Sequence, residues 1–180
     1  SAGYTTEKVK IALDRASSEW VKGKRYSLPK AKSELSGDEL IEKWTRLVKN
    51  YPIISIEDPL GEEDYSSWKK CTSELGKNTI LVGDDLFVTN EKRLRYGIEN
   101  EIGNAILIKP NQIGTLSETL DVIKLAKEKR YYTIISHRSG ETNDTSIADI
   151  GVGCGTEFIK TGAPCRMERV AKYNRLLEIE

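Results

Sequence analysis

The 180-residue chain has no net charge, because 28 Lys and Arg offset 28 Asp and Glu. No global field therefore draws it to nucleic acid or to an anionic membrane surface, and any anion binding must be local. Cysteine is scarce. Cys71, Cys154 and Cys165 are odd in number and include no C-x-x-C pair, which excludes a disulfide framework and a zinc knuckle. Reduced, partly buried thiols of a cytoplasmic protein are expected instead. No apolar run approaches the roughly 20 residues that span a bilayer, and no apolar signal segment opens the chain. Histidine occurs once, as His137 in "YYTIISHRSGETNDTSIAD", a setting that taken alone reads as a surface residue beside a solvated loop. There is no low-complexity tract, and the length suits one domain.

What is present is alternation. Short runs rich in β-branched residues recur at Val9 to Leu13, Ile53 to Ile56, Ile80 to Val82, Ala105 to Ile108, Thr133 to Ile135 and Phe158 to Ile159. Each is too short for a typical helix and fits a strand buried on both faces. Segments with helical spacing lie between them. In "GDELIEKWTRLVKNY", Leu40, Ile41, Trp44, Leu47 and Val48 share one face, with Asp38 as a cap or first-turn acid and Pro52 closing the element. Residues 115 to 130 read as the clearest helix, with Leu116, Leu120 and Ile123 on one side. Strand then helix, six times over, implies parallel strands with right-handed crossovers, in an open doubly wound sheet or in part of a (β/α) barrel. Only Trp20 to Ser36 breaks the rhythm, as an irregular excursion or short hairpin.

The strand ends carry the chemistry. At or just past them stand Asp14, Glu57, Asp84, Lys109, His137 with Arg138, and Lys160. Ends of parallel barrel strands gather on one face, where barrel enzymes place their catalytic groups. Three converging carboxylates repel one another, and the cheapest remedy is a hard divalent cation, Mg²⁺ above all. The basic sector suits an anionic substrate, with Arg138 and Ser139 as donors to a phosphate or carboxylate. Lys109, near other cations and a metal, is a candidate general base. Glu19, Asp58, Asp85 and Glu141 compete for the same roles, and spacing does not separate Asp85 from Asp84.

The segments "KVKIALDRASSEW", "YPIISIEDPL", "VGDDLFVTN", "ILIKPNQIGTLSET", "IISHRSGETNDTSIAD", "FIKTGAP" and "ERVAKYNRLLEIE" resemble, in order and over nearly the whole chain, those of the enolase family. That resemblance implies a truncated enolase-type TIM (β/α) barrel of about six βα units, α/β in class, open or completed by another chain. It implies an Mg²⁺-dependent lyase of glycolysis that dehydrates 2-phosphoglycerate to phosphoenolpyruvate. Carried over position by position, Asp14, Glu57 and Asp84 would ligate Mg²⁺, and Lys109 would remove the C2 proton. Lys160 would contact the substrate carboxylate, and His137, Arg138 and Ser139 would line the pocket, Arg138 and Ser139 facing the phosphate. A cytoplasmic homodimer is the implied parent, sometimes also found at the cell surface.

Met167 stands where the family usually has serine, and Asn143 where it usually has an acid. The larger departure is that the family's N-terminal α+β domain, the opening barrel elements and the "GDEGGF" segment have no counterpart in these residues. A chain of these residues alone is thus expected to be weak or inactive and to associate with itself or with the remainder. The alternative is a non-catalytic binding or assembly module derived from the family.

Overall fold

The computed structural model describes residues 3–28 and 30–180, so Pro29 of the Trp20–Ser36 excursion lies outside the described residues. The chain forms two compact units, one extending to Phe87 and including Tyr96–Asn104, the other made of Val88–Arg95 and Ala105–Glu180.

The first unit opens with strand β1 (Ile11–Asp14) and a 3-10 turn over Ser17–Trp20. The excursion then takes the hairpin alternative, extended to an antiparallel meander of β2 (Val21–Lys22), β3 (Arg25–Leu28) and β4 (Ser33–Leu35). Gly23, at φ 61°, supplies the left-handed residue of the first turn. Tyr26 and Leu28 alternate inward along β3, and the Tyr26 hydroxyl donates to Asp64 while accepting the Gly61 N–H.

Helix α1 (Gly37–Asn50) buries the expected Leu40, Ile41 and Trp44. Its cap, however, is Ser36, which forms a capping box with Glu39, and Asp38 is only a first-turn acid. Strand β5 (Ile53–Glu57), helix α2 (Tyr65–Leu75) and strand β6 (Ile80–Gly83) follow. β5 pairs in parallel with β1 on one side and β6 on the other. β1 is not buried on both faces as expected: it is largely exposed, with Ile11 at 40%, because it is an edge strand.

After β6 come helix α3 (Glu91–Glu99) and strand β7 (Ala105–Ile108), all four residues of the strand being buried. A helical turn α4 (Pro110–Ile113), not anticipated from the sequence, ends at Gly114 with φ 101°. Helix α5 (Leu116–Glu128), strand β8 (Tyr132–Ser136), helix α6 (Ser146–Cys154), strand β9 (Phe158–Lys160) and helix α7 (Met167–Ile179) complete the second unit. There β7, β8 and β9 pair in parallel. In α5 the buried face is Thr119, Val122, Ile123 and Ala126, while Leu116 and Leu120 are 55% and 40% exposed. Of the expected Leu116, Leu120 and Ile123 side, Ile123 is buried and the two leucines are not, while Thr119 is buried with its hydroxyl donating to the Thr115 carbonyl. The architecture is α/β, with six parallel strands each followed by helix.

Candidate active site

In the first unit the carboxylates stand where parallel pairing puts them. Asp14 lies opposite Glu57 in register, Glu57 lies opposite Val82, and Asp84 follows the end of β6. Glu57 and Asp84 are buried, at 7% and 8%, and Asp14 is exposed.

Asp58 ties these ends together. Its N–H donates to the Val82 carbonyl, its carbonyl accepts the Ser17 N–H, and its two carboxylate oxygens accept the N–H groups of Asp84 (3.0 Å) and Asp85 (2.9 Å). It does so from a left-handed backbone at φ 42°, a conformation that Asp tolerates better than most residues. Burial pushes the Asp58 carboxyl up to about 8, the two N–H donors acting against that and the neighbouring Asp84 and Asp85 charges adding to it. Asp58, Asp84 and Asp85 are the one trio of potential ligands, among the described residues, whose donor oxygens lie within 4.8 Å of one another. The structure thus groups Asp84 with two of its competitors, and neither Asp14 nor Glu57 belongs to that trio.

In the second unit the register pairs Ile108 with Ile135 and Ser136 with Lys160, so Lys109, Ser136 and Lys160 stand at one level at the strand ends. The Lys109 backbone is held by its N–H to the Thr89 hydroxyl at 2.9 Å, and Thr89 in turn donates to Gln112.

His137 is fixed through Lys160. Both its N–H (2.9 Å) and its Nδ1 (2.6 Å) address the Lys160 carbonyl. A carbonyl only accepts, so Nδ1 carries the proton and Nε2 of the neutral ring is left as an acceptor. Burial, followed by the nearby Arg169 and Lys160 charges, holds the imidazole below its ordinary value, although the bond to Lys160 opposes this.

Arg138 and Ser139 are exposed, and the Arg138 guanidinium is steadied by the Asn111 side chain at 2.9 Å. From α7, the buried Arg169 donates to the Arg138 and Ser139 carbonyls, and the buried Lys172 pairs with Glu141. Sequence reasoning missed Asn111, Arg169 and Lys172. In a one-dimensional reading Arg169 and Lys172 look like the solvated face of a terminal helix, and only their burial sets them apart. A cavity of about 660 Å³, lined by Ser18, Tyr26, Gly61 and Asp64 among others, opens beside the meander, and no candidate site residue lines it.

These strand-end groups sit on a chain that matches, over residues 1–180, the family model described as the enolase C-terminal TIM barrel domain. The chain belongs to that family. It is 55% identical over 179 residues to an enolase of Elusimicrobium minutum, covering 99% of this chain and 41% of the relative. It is 54% identical over 180 residues to an enolase of a Nitratiruptor species, covering 99% and 43%. It therefore spans about two-fifths of the length of the curated relatives it matches. The family match accounts for the six βα units as part of a TIM barrel. Met167, the departure in α7, is 67% exposed, and Asn143 lies on the solvated part of the loop after β8.

Proposed function

We propose that this chain is the C-terminal barrel part of a cytoplasmic enolase that dehydrates 2-phosphoglycerate to phosphoenolpyruvate in glycolysis. The observation that carries the reading is the common level of Lys109 and Lys160 at the strand ends, with His137 locked to Lys160, in a chain of this family. Lys109 accepts the C2 proton. Lys160 balances the substrate carboxylate, neutral His137 offers Nε2 as an acceptor in the pocket, and Arg138 and Ser139 take the phosphate.

Asp14, Glu57 and Asp84 would hold Mg²⁺. The chemistry of the donors fits a hard cation, because all three are carboxylates at neighbouring strand ends, Asp14 opposite Glu57 in register and Asp84 just past β6. When bound, the ion would supply positive charge against the charge that develops on the substrate carboxylate. Asp58 holds the Asp84–Asp85 turn in place for this role.

Loss of the C3 hydroxyl requires an acid that this chain's motifs do not supply, so the 180 residues alone turn over weakly. In the full natural chain, Lys109→Ala should lower kcat by about 10²- to 10⁴-fold with KM little changed, read as phosphoenolpyruvate absorbance. A variant retaining most of its turnover would remove Lys109 as the base. Full turnover by the isolated 180 residues would show that no outside acid is needed.

A further inference from the structure

The loop after β8 is held from behind by two cations that solvent barely reaches. Arg169 is 9% exposed, and its Nη1 and Nη2 donate to the carbonyls of Arg138 (2.9 Å) and Ser139 (3.0 Å). Lys172 is 0% exposed, and its Nζ reaches the Glu141 carboxylate (2.8 Å) and the carbonyls of Thr142 (2.6 Å) and Glu168 (2.7 Å). All three Lys172 donors are thereby used. Burying a cation is costly, and a helix that needed only to pack would do so better with apolar side chains. Here every one of these contacts except that to Glu168 is aimed at a single loop.

The direction of those bonds has a consequence. In a trans peptide the N–H points opposite to the C=O. With the Arg138 and Ser139 carbonyls turned toward Arg169, the N–H groups of Ser139 and Gly140 are turned away from α7. Successive N–H groups turned to one side are donors that an anion can use, and the Arg138 guanidinium, steadied by Asn111, belongs to the same loop.

The turn after β9 is tied to the same helix face. Tyr173 donates to the Gly162 carbonyl, and a Cβ at Gly162 (φ 81°) would lie 3.0 Å from Arg169 Cδ.

We propose that Arg169 and Lys172 are positioning residues. By holding the Arg138–Thr142 carbonyls they set the peptide orientation that presents Arg138 and the following N–H groups to the substrate phosphate. This rests on the reading that Arg138 and Ser139 take the phosphate.

The test uses the full natural chain with Arg169→Lys, which keeps the charge but not the two-pronged fork. KM for 2-phosphoglycerate and the inhibition constant of inorganic phosphate should both rise by about tenfold or more, with kcat changed less and the Mg²⁺ activation constant unmoved. A merely structural role would lower the thermal midpoint without splitting KM from kcat. KM and phosphate inhibition within about twofold of the parent in folded Arg169→Lys would overturn the proposal. If that variant does not fold, Lys172→Met decides in its place, because it keeps the stem and removes the bonds to Glu141 and Thr142. It should raise the same two constants, and unchanged constants would refute the positioning role. Arg138→Gln separates the two readings. If it leaves phosphate inhibition unchanged, the phosphate assignment fails. If it weakens inhibition while Arg169→Lys does not, the positioning role alone fails.

Discussion

His137 shows how far one residue can be taken. In the sequence it is a lone imidazole at the edge of a polar loop. In the structure its Nδ1 addresses the Lys160 carbonyl, and burial, with the cations Arg169 and Lys160, lowers its affinity for a second proton. Because it is the only histidine, its ring protons need no assignment, and their titration should have a midpoint below the usual imidazole value of about 6.5. A midpoint at or above that value would contradict the packing described. The sign for stability follows from linkage. As pH falls toward that usual value the unfolded imidazole takes up its proton before the folded one, so its contribution to stability rises with pH through this window and is lost below it. Asp58, raised to about 8, contributes the opposite slope over the same window, so the test is the difference: the urea midpoint of the parent minus that of His137→Gln should fall from about pH 7.5 to about pH 5.5, the Asp58 contribution being common to both. Asp58 teaches the complementary lesson. The sequence offered it as a competitor of Glu57 for a metal, and pattern had no means of showing that both its oxygens are occupied by the Asp84 and Asp85 N–H groups.

Among the elements, α1 was the most legible. Its face of Leu40, Ile41 and Trp44 follows directly from 3.6-residue spacing, and all three are buried. Of the two roles open to Asp38, cap or first-turn acid, the structure takes the second, since Ser36 accepts from the Glu39 N–H and Glu39 reaches back to the Ser36 N–H. Ser36→Ala should destabilise by about 1 kcal/mol, seen as a lower urea midpoint at constant slope. No change would mean that the capping box is not formed in solution. Trp44→Ala should cost several times more, about 3–5 kcal/mol, because the side chain is 1% exposed and its Nε1–H donates to the Pro59 carbonyl. Helix α5 forms as expected and buries Ile123, but the rest of its face differs. Its Leu116 and Leu120 are large and apolar yet exposed, whereas the smaller Thr119 is buried. Residue type set the expectation, and a satisfied hydroxyl reversed it.

At the scale of the whole chain, strand β1 stands at one edge of the six-stranded sheet. It pairs with β5 alone, and Val9, Ile11 and Ile54 are 54%, 40% and 36% exposed. An unpaired parallel edge with apolar side chains invites another chain. Sedimentation velocity on the 180-residue chain should show a coefficient that rises with concentration, and one monomeric species across a range of about micromolar to about 100 micromolar would contradict this. The three thiols add an independent check of the packing. Cys165 is exposed, Cys154 half-buried and Cys71 buried, its thiol pushed up to about 12 by burial. A thiol reagent should therefore modify Cys165 first and Cys71 only on unfolding.

The alternation of strand and helix and the identity of the strand-end residues follow from the chain alone, because β-branched runs and helical spacing are local properties and each strand-end residue lies within three residues of the run that defines it. Pairing and burial are non-local. Register set Asp14 opposite Glu57 and brought Lys109, Ser136 and Lys160 to one level. The fold likewise turned Arg169 and Lys172, two ordinary helix cations in the sequence, into buried donors to a loop some 30 residues earlier. No spacing rule reaches that far. Those bonds exist only once α7 has packed and water has been removed from around the charges, which is when a cation must find carbonyls or not be buried at all.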